Sequence, residues 1–242
     1  AIAKHQGQVI LSIGQRVPRW PECHIPSWAQ GEDAVATANR EEKLLMHLQR
    51  TVERYRGHEE IVMWQVENEP FLSQFGQCPP LDPTFLEKEV ALVKSLDARP
   101  VLVTDSGELS LWIHAAKRGD VFGTTLYRHI YQRWFGYMTY PISPAFFQLK
   151  TLLVKTLTSQ RNFMVIELQA EPWAPGWVAN YPLEEQFKTM DERKLIENVQ
   201  YAQRLGFPDI YLWGGEWWYY LKTQKDYPGL WDTARKLFQQ YP

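Results

Sequence analysis

Apolar and polar positions alternate along this chain in two rhythms that follow one another. Short apolar runs closed by Gly, Pro or a polar cluster read as buried strands: residues 8–14 (Q-V-I-L-S-I-G), 61–69, 100–104 (P-V-L-V-T), 121–127 (V-F-G-T-T-L-Y), 163–167 (F-M-V-I-E) and 210–213 (I-Y-L-W). Between them lie stretches with apolar residues at helical spacing. Residues 33–56 carry Leu44, Leu45, Leu48 and Val52 on one face. Residues 84–96, 144–160, 191–205 and 227–240 show the same period, and a short helix is expected over 109–118. Strand and helix alternating six times predict parallel strands joined by right-handed crossovers. The fold class expected is therefore α/β, in one domain over 1–242 with no linker, repeat or low-complexity tract.

Two arrangements satisfy that pattern: an open doubly wound sheet and a (β/α) barrel. The doubly wound nucleotide binder wants a glycine-rich turn after its first strand. This chain offers G-Q-R-V-P-R-W-P there, which cannot cradle phosphate. Polar and aromatic residues gather instead just beyond the carboxyl end of nearly every strand, where a barrel keeps its active site.

Composition narrows the partners. The formal charge of −2 lacks the basic surplus of a nucleic-acid binder, and no apolar run approaches a membrane-spanning length. The chain opens on A-I-A-K, as a processed or cut product would, and no signal peptide is readable. Aromatic residues are abundant, with 11 Trp, 12 Tyr and 11 Phe. Trp20, Trp28, Trp134, Trp173, Trp177, Trp217 and Trp218 fall in segments that read as loops, where flat faces stack on sugar rings or pack beneath the loop. Cys23 and Cys78 form no C-x-x-C pair; two separate thiols are expected unless their loops share a face.

The strand ends supply Glu67, Asn68 and Glu69; Asp105 and Glu108; Tyr127; Glu167, Gln169 and Glu171; and Trp213 and Glu216. Two carboxylates facing across a cleft suit glycosidic cleavage, one protonated to assist the leaving oxygen, the other ionised to attack the anomeric carbon or activate water. Glu67, of the same strand parity as Glu69 but deeper, reads as a buried structural group partnered by an Arg. Asp105 and Glu108 read as a cap and first-turn acid of the short helix. Glu171 is the rival to Glu167, and Glu216, in a loop after G-G, reads equally as substrate-binding or solvated.

V-E-N-E-P at 66–70, V-I-E at 165–167 and Y-L-W at 211–213, in that order, resemble the clan A glycoside hydrolases, which include glycoside hydrolase family 5. Those are (β/α)8 retaining enzymes. The resemblance implies Glu69 as acid/base, Asn68 as ligand of the substrate 2-hydroxyl, Glu167 as nucleophile, Tyr127 as its partner and Trp213 as floor of the sugar site. Trp20, Trp173 and Glu216 join as substrate-binding residues. If Glu69 ends the fourth strand of that pattern and Glu167 the seventh, the first strand here is the third. The barrel is then incomplete, with about six units, and residues 1–6 are the tail of the second helix. The clan's substrate-binding Arg from strand 2 has no counterpart, leaving Arg16, Arg19 or Arg128 as substitutes. Open edges invite a second copy of the chain.

The expected activity is retaining hydrolysis of an oligo- or polysaccharide of β-glucan or mannan type, with no cofactor. The alternatives are a non-catalytic carbohydrate-binding protein on a truncated barrel, and a metal-dependent hydrolase. The latter wants several strand-end His, whereas only His24 and His129 fall near the rim.

Overall fold

The computed structural model describes residues 2–31 and 33–241. Position 1, at the start of the expected helical tail, lies outside them; Ile2–His5 is a 3₁₀ turn. In chain order follow β1 (Val9–Ile13), α1 (Ala34–Tyr55), β2 (Ile61–Val66), α2 (Pro83–Leu96), β3 (Val101–Asp105), α3 (Ile113–Ala116) and β4 (Val121–Leu126). Then come β5 (His129–Gln132), β6 (Gly136–Thr139), α4 (Pro144–Leu157), β7 (Phe163–Gln169), α5 (Leu183–Gln186), α6 (Glu192–Gln203), β8 (Ile210–Trp213), α7 (Gly215–Gln224) and α8 (Gly229–Gln240).

The protein is α/β, with a six-stranded sheet in the order β1-β2-β3-β4-β7-β8. An order that never reverses has no topological switch point, which removes the doubly wound alternative. β1 runs parallel to β2 (Ile13 opposite Val66), β2 to β3 (Gln65 opposite Leu102) and β7 to β8 (Gln169 opposite Trp213). Parallel pairing brings carboxyl ends together, so Gly14, Glu67 and Ser106 follow neighbouring strand ends.

The chain forms two compact units, Ala1–Gly123 with Leu153–Phe163, and Thr124–Leu152 with Met164–Pro242. In the first, α1 buries Leu48 and Val52, and α2 buries Phe85, Leu86, Val90 and Val93, while β3 is buried along its whole length. Burying one such side chain is worth roughly 1.5–3 kcal/mol. Helix starts follow their capping residues: Asp33 accepts the Ala36 N–H at 2.8 Å, and Asp82, followed by Pro83 in the first turn, accepts that of Thr84 at 2.8 Å. Arg99 gathers the carbonyls of Arg56, His58 (2.9 Å) and Ile61 (2.7 Å), pairs with Asp97 at 2.8 Å and lies over the Trp64 ring. It thereby closes the turn from α1 into β2.

In the second unit the core is Val165 and Leu168 of β7, Leu195, Val199 and Ala202 of α6, Leu221 of α7 and Leu230, Ala234 and Leu237 of α8. Asp191 caps α6 by accepting the Lys194 N–H at 2.8 Å.

Four local expectations are corrected. The segment after Tyr127, in which Trp134 reads as a loop residue, holds the antiparallel hairpin β5–β6, with Ile130 opposite Met138. The helix expected over 109–118 shrinks to the four residues of α3. The G-G segment read as a loop opens a ten-residue helix, α7, so Trp217 and Trp218 are buried rather than displayed. Cys23 and Cys78 are joined in a disulfide with Cα atoms 5.2 Å apart, because their loops do share a face. Among the described residues, no helix is long and apolar enough to cross a membrane.

Candidate functional site

The carboxylates singled out in the sequence fall into two constellations, one in each unit.

The first is built on the turn after β2. That strand stops at Val66, and both Glu67 (φ 60°) and Glu69 (φ 44°) are left-handed. Such a conformation costs a non-glycine residue on the order of 1–3 kcal/mol and persists only where neighbours impose it. Here they do. The Glu67 carboxylate accepts the backbone N–H groups of Gln15 (2.6 Å) and Arg16 (2.7 Å), and the Glu67 N–H meets the Ile13 carbonyl at 2.9 Å. The Asn68 N–H donates to the Arg16 carbonyl at 2.8 Å. The Asn68 side-chain oxygen accepts from Gln65 Nε2 (3.1 Å) and Thr104 Oγ1 (3.3 Å), and Thr104 Oγ1 accepts the Glu69 N–H at 2.9 Å. The turn is thus stitched to β1, β2 and β3 at once, and Glu67, Asn68 and Glu69 are all buried.

Strand parity does not reach Glu67, and its partners are backbone amides rather than an Arg side chain. The Arg16 guanidinium turns away: Nε donates to Glu22 at 2.5 Å, and its terminal nitrogens to the carbonyls of Leu72 (2.6 Å) and Phe75 (2.8 Å). Only 4% exposed, Arg16 is a structural clamp on the loop beyond Glu69, not a substitute substrate-binding Arg. Asp105 ends β3 and accepts the Ser106 N–H at 2.9 Å; with α3 starting at Ile113, neither Asp105 nor Glu108 caps it. Trp20 is half exposed and meets Phe75 edge-on, with ring centroids 5.4 Å apart.

Gly14 explains how Glu67 fits. Its φ is +130°, and a Cβ there would lie 2.3 Å from Glu67 Oε1. Gly14→Ala is therefore expected to destabilise the fold by about 2 kcal/mol or more, read from the urea midpoint of unfolding. An unchanged midpoint would show that Glu67 has room to move.

The second constellation sits on β7, which is buried along its whole length. Glu167 Oε2 accepts the Tyr127 hydroxyl at 2.9 Å, and Trp173 meets Tyr127 edge-on with centroids 5.4 Å apart. Gln169, two residues on, accepts the His129 N–H (2.8 Å) and donates to the His129 carbonyl (2.6 Å), and its own carbonyl accepts from Asn198 Nδ2 at 2.9 Å. This anchors the β5–β6 hairpin to β7. The His129 Nδ1 pairs with Thr139 Oγ1 at 2.8 Å. Burial, reinforced by Arg128 and Lys194, lowers the His129 pKa to about 4, so the ring is neutral at physiological pH. Arg128 reaches Asn198 Oδ1 at 3.1 Å and lies over the Tyr201 ring, 4.1 Å from its centroid.

β7 ends at Gln169, leaving Glu171 beyond it, where Oε1 accepts the Trp213 indole N–H at 3.1 Å. Glu216 lies in the first turn of α7 rather than in a loop. The joint between β7 and β8 is tight: the Ala170 N–H meets the Trp213 carbonyl at 2.9 Å, and the Ala170 carbonyl accepts the Trp218 indole at 2.7 Å. A Cβ on Gly214, whose φ is +145°, would lie 2.6 Å from the Ala170 carbonyl carbon. Among the described residues, no group of three His, Cys, Asp or Glu side chains is disposed to hold a metal ion.

Sequence reading missed Gln65, Thr104 and Glu89 among the supports of the Glu67–Glu69 turn. Gln65 and Thr104 are polar residues in apolar strands, which is the signal they offered.

No protein-family model and no curated protein matches the sequence. Solved structures similar to it include a GH2 β-galacturonidase from Eisenbergiella tayi bound to glycerol, at 12% identity and a TM-score of 0.48, covering 73% of this chain and 29% of that one. A β-glucuronidase from Bacteroides uniformis is 16% identical with a TM-score of 0.48, covering 72% and 21%. A β-D-glucuronidase from Dictyoglomus thermophilum is 13% identical with a TM-score of 0.45, covering 83% and 32%. The chain spans no more than about a third of each of these proteins.

Proposed function

We propose that the protein is a retaining glycoside hydrolase acting on β-linked glycans of β-glucan or mannan type. Glu167 is the nucleophile and Glu69 the acid/base in this reading. The six strands then stand for the third to eighth of a (β/α)8 pattern.

The observation that carries it is the Tyr127–Glu167 hydrogen bond on a fully buried strand, beside Trp173. A hydrogen bond from a phenol favours the charged form of a carboxylate and fixes its orientation, both of which suit a nucleophile. The Asn68–Glu69 turn adds a second buried carboxylate next to an amide of fixed orientation. With its oxygen given to Gln65 and Thr104, Asn68 has its NH₂ end to offer a sugar hydroxyl.

In the first step Glu167 forms a bond to the anomeric carbon as the glycosidic C–O bond breaks, and Glu69 gives its proton to the leaving oxygen. In the second, water attacks the same carbon, Glu69 takes up the water's proton, and Glu167 leaves with its electron pair. Two displacements return the original anomeric configuration. Trp213, Trp173 and Trp20 serve as stacking surfaces and Glu216 as a polar contact.

Proton NMR of a β-glycoside digest tests the reading. The expected first product is the β-anomer, followed by slow mutarotation. An α-anomer formed first would replace Glu167 as nucleophile by an inverting mechanism. Sugar binding by calorimetry without any release from aryl β-glycosides would make the chain a carbohydrate-binding protein.

A further inference from the structure

Behind the Glu67–Glu69 turn lies a second carboxyl group that the proposed chemistry does not use. Glu89 of α2 is fully buried, and its carboxyl group acts electrostatically on that of Glu67. No N–H or hydroxyl group among the described residues reaches either of its oxygens. Two carboxylates in contact away from water cannot both be ionised, since each raises the cost of the other's charge. The proton must lie between them, and the donors decide on which side. Glu67 receives two short backbone N–H bonds, which favour its ionised form. Glu89 receives none, so an ionised Glu89 would be an uncompensated buried charge.

We infer that Glu89 is a positioning residue: it stays protonated, donates to the Glu67 carboxylate, and thereby holds the bend that presents Asn68 and Glu69. The Glu67 carboxylate becomes a three-way junction between the segment after β1, the turn after β2 and helix α2. Removing the Glu89 donor leaves two of its three ties, and the left-handed turn loses its link to α2. For catalysis this rests on the role proposed for Glu69; for the turn itself it rests on the geometry of one unit.

The surrounding charges agree. Burial holds the Glu89 carboxyl well above the usual carboxylate range, with the charge of Glu67 and that of Glu41 on α1 adding to it. Burial also raises Glu67, against the opposing pull of the Gln15 and Arg16 N–H groups, the Glu89 carboxyl and the Arg16 charge. A carboxyl raised on folding gives stability that is complete below its unfolded value, near 4.5, and is lost as pH climbs toward the folded value.

Glu89→Gln tests this, because the amide keeps a donor facing Glu67 and has no proton to lose. Melting temperatures of the native protein and of this variant are compared from pH 5 to pH 9. The variant is expected to gain on the native protein with rising pH, by at least about 5 °C across that range. Parallel curves would overturn the inference, since they would mean Glu89 takes no extra proton into the fold. Turnover of an aryl β-glycoside supplies the second readout. Glu89→Gln should retain kcat, with its loss at alkaline pH moved upward, whereas Glu89→Leu should lower kcat by about 10-fold or more with little change in KM. Equal kcat in the Gln and Leu variants would overturn the positioning role. A native protein without any hydrolytic activity would sink the glycosidase proposal and leave the melting comparison to judge Glu89. A Leu variant that does not fold leaves the Gln comparison at both readouts.

Discussion

Glu167→Gln is expected to lower turnover of an aryl β-glycoside by about 10⁴-fold or more while the circular dichroism spectrum stays native. The amide is nearly isosteric and still accepts the Tyr127 hydroxyl, so the loss would report chemistry rather than packing. Glu69→Gln should separate by leaving group. A sugar or methanol leaving group needs the proton, and its loss should cost about 10²–10⁴-fold. A dinitrophenolate leaves unaided, so the first step survives and the glycosyl-enzyme accumulates as a burst. Azide added to Glu69→Ala should then release a β-glycosyl azide, because it needs no general base. Near-native turnover in either glutamine variant would withdraw that residue's role. If Glu171→Gln were inactive and Glu167→Gln active, the nucleophile would be the residue beyond β7.

The disulfide carries the second large effect. Cys23 and Cys78 lie 55 residues apart, and closing a loop of that length restricts the unfolded chain by about 4 kcal/mol in the chain-entropy account. Reduction, or the double change Cys23→Ser/Cys78→Ser, is expected to lower the melting temperature by about 10 °C. The bond also joins the two segments that Arg16 clamps, through Glu22 on one side and the carbonyls of Leu72 and Phe75 on the other. Scanning calorimetry with and without reductant checks this, and superimposed transitions would show that Arg16 alone suffices to hold the segments.

The six sheet strands were readable because each is a run of apolar residues with a clear stop, and the long helices because their burial follows one face. What escaped was decided elsewhere. G-G-E-W-W-Y-Y reads as a loop with exposed aromatics, yet Trp217 donates to Gln186 Oε1 at 2.8 Å and Trp218 to the Ala170 carbonyl. Those partners lie 31 and 48 residues away, beyond any local rule. The hairpin at 129–139 was hidden because its anchor, Gln169, belongs to another strand. Glu67 is buried and structural as read, but its strand parity failed because period-two counting assumes extended backbone, and the chain leaves that conformation at Glu67 itself. Cys23 and Cys78 carry no mark of their pairing at that separation. The carboxylates and Asn68 were visible as polar residues closing apolar strands; the donors that orient them, from the segment after β1, from Gln65, Thr104 and Tyr127, are ones that only folding assembles.

The crowding at Gly214 has a bearing on how the chain would tolerate change. Any side chain there intrudes on the backbone of Ala170, so selection would guard this position as strictly as a residue that handles the proton. Invariance among descendants of this protein would then mark two different necessities with one signature. Abundance and turnover, scored separately for each variant, distinguish a joint that cannot be widened from an acid that cannot be replaced.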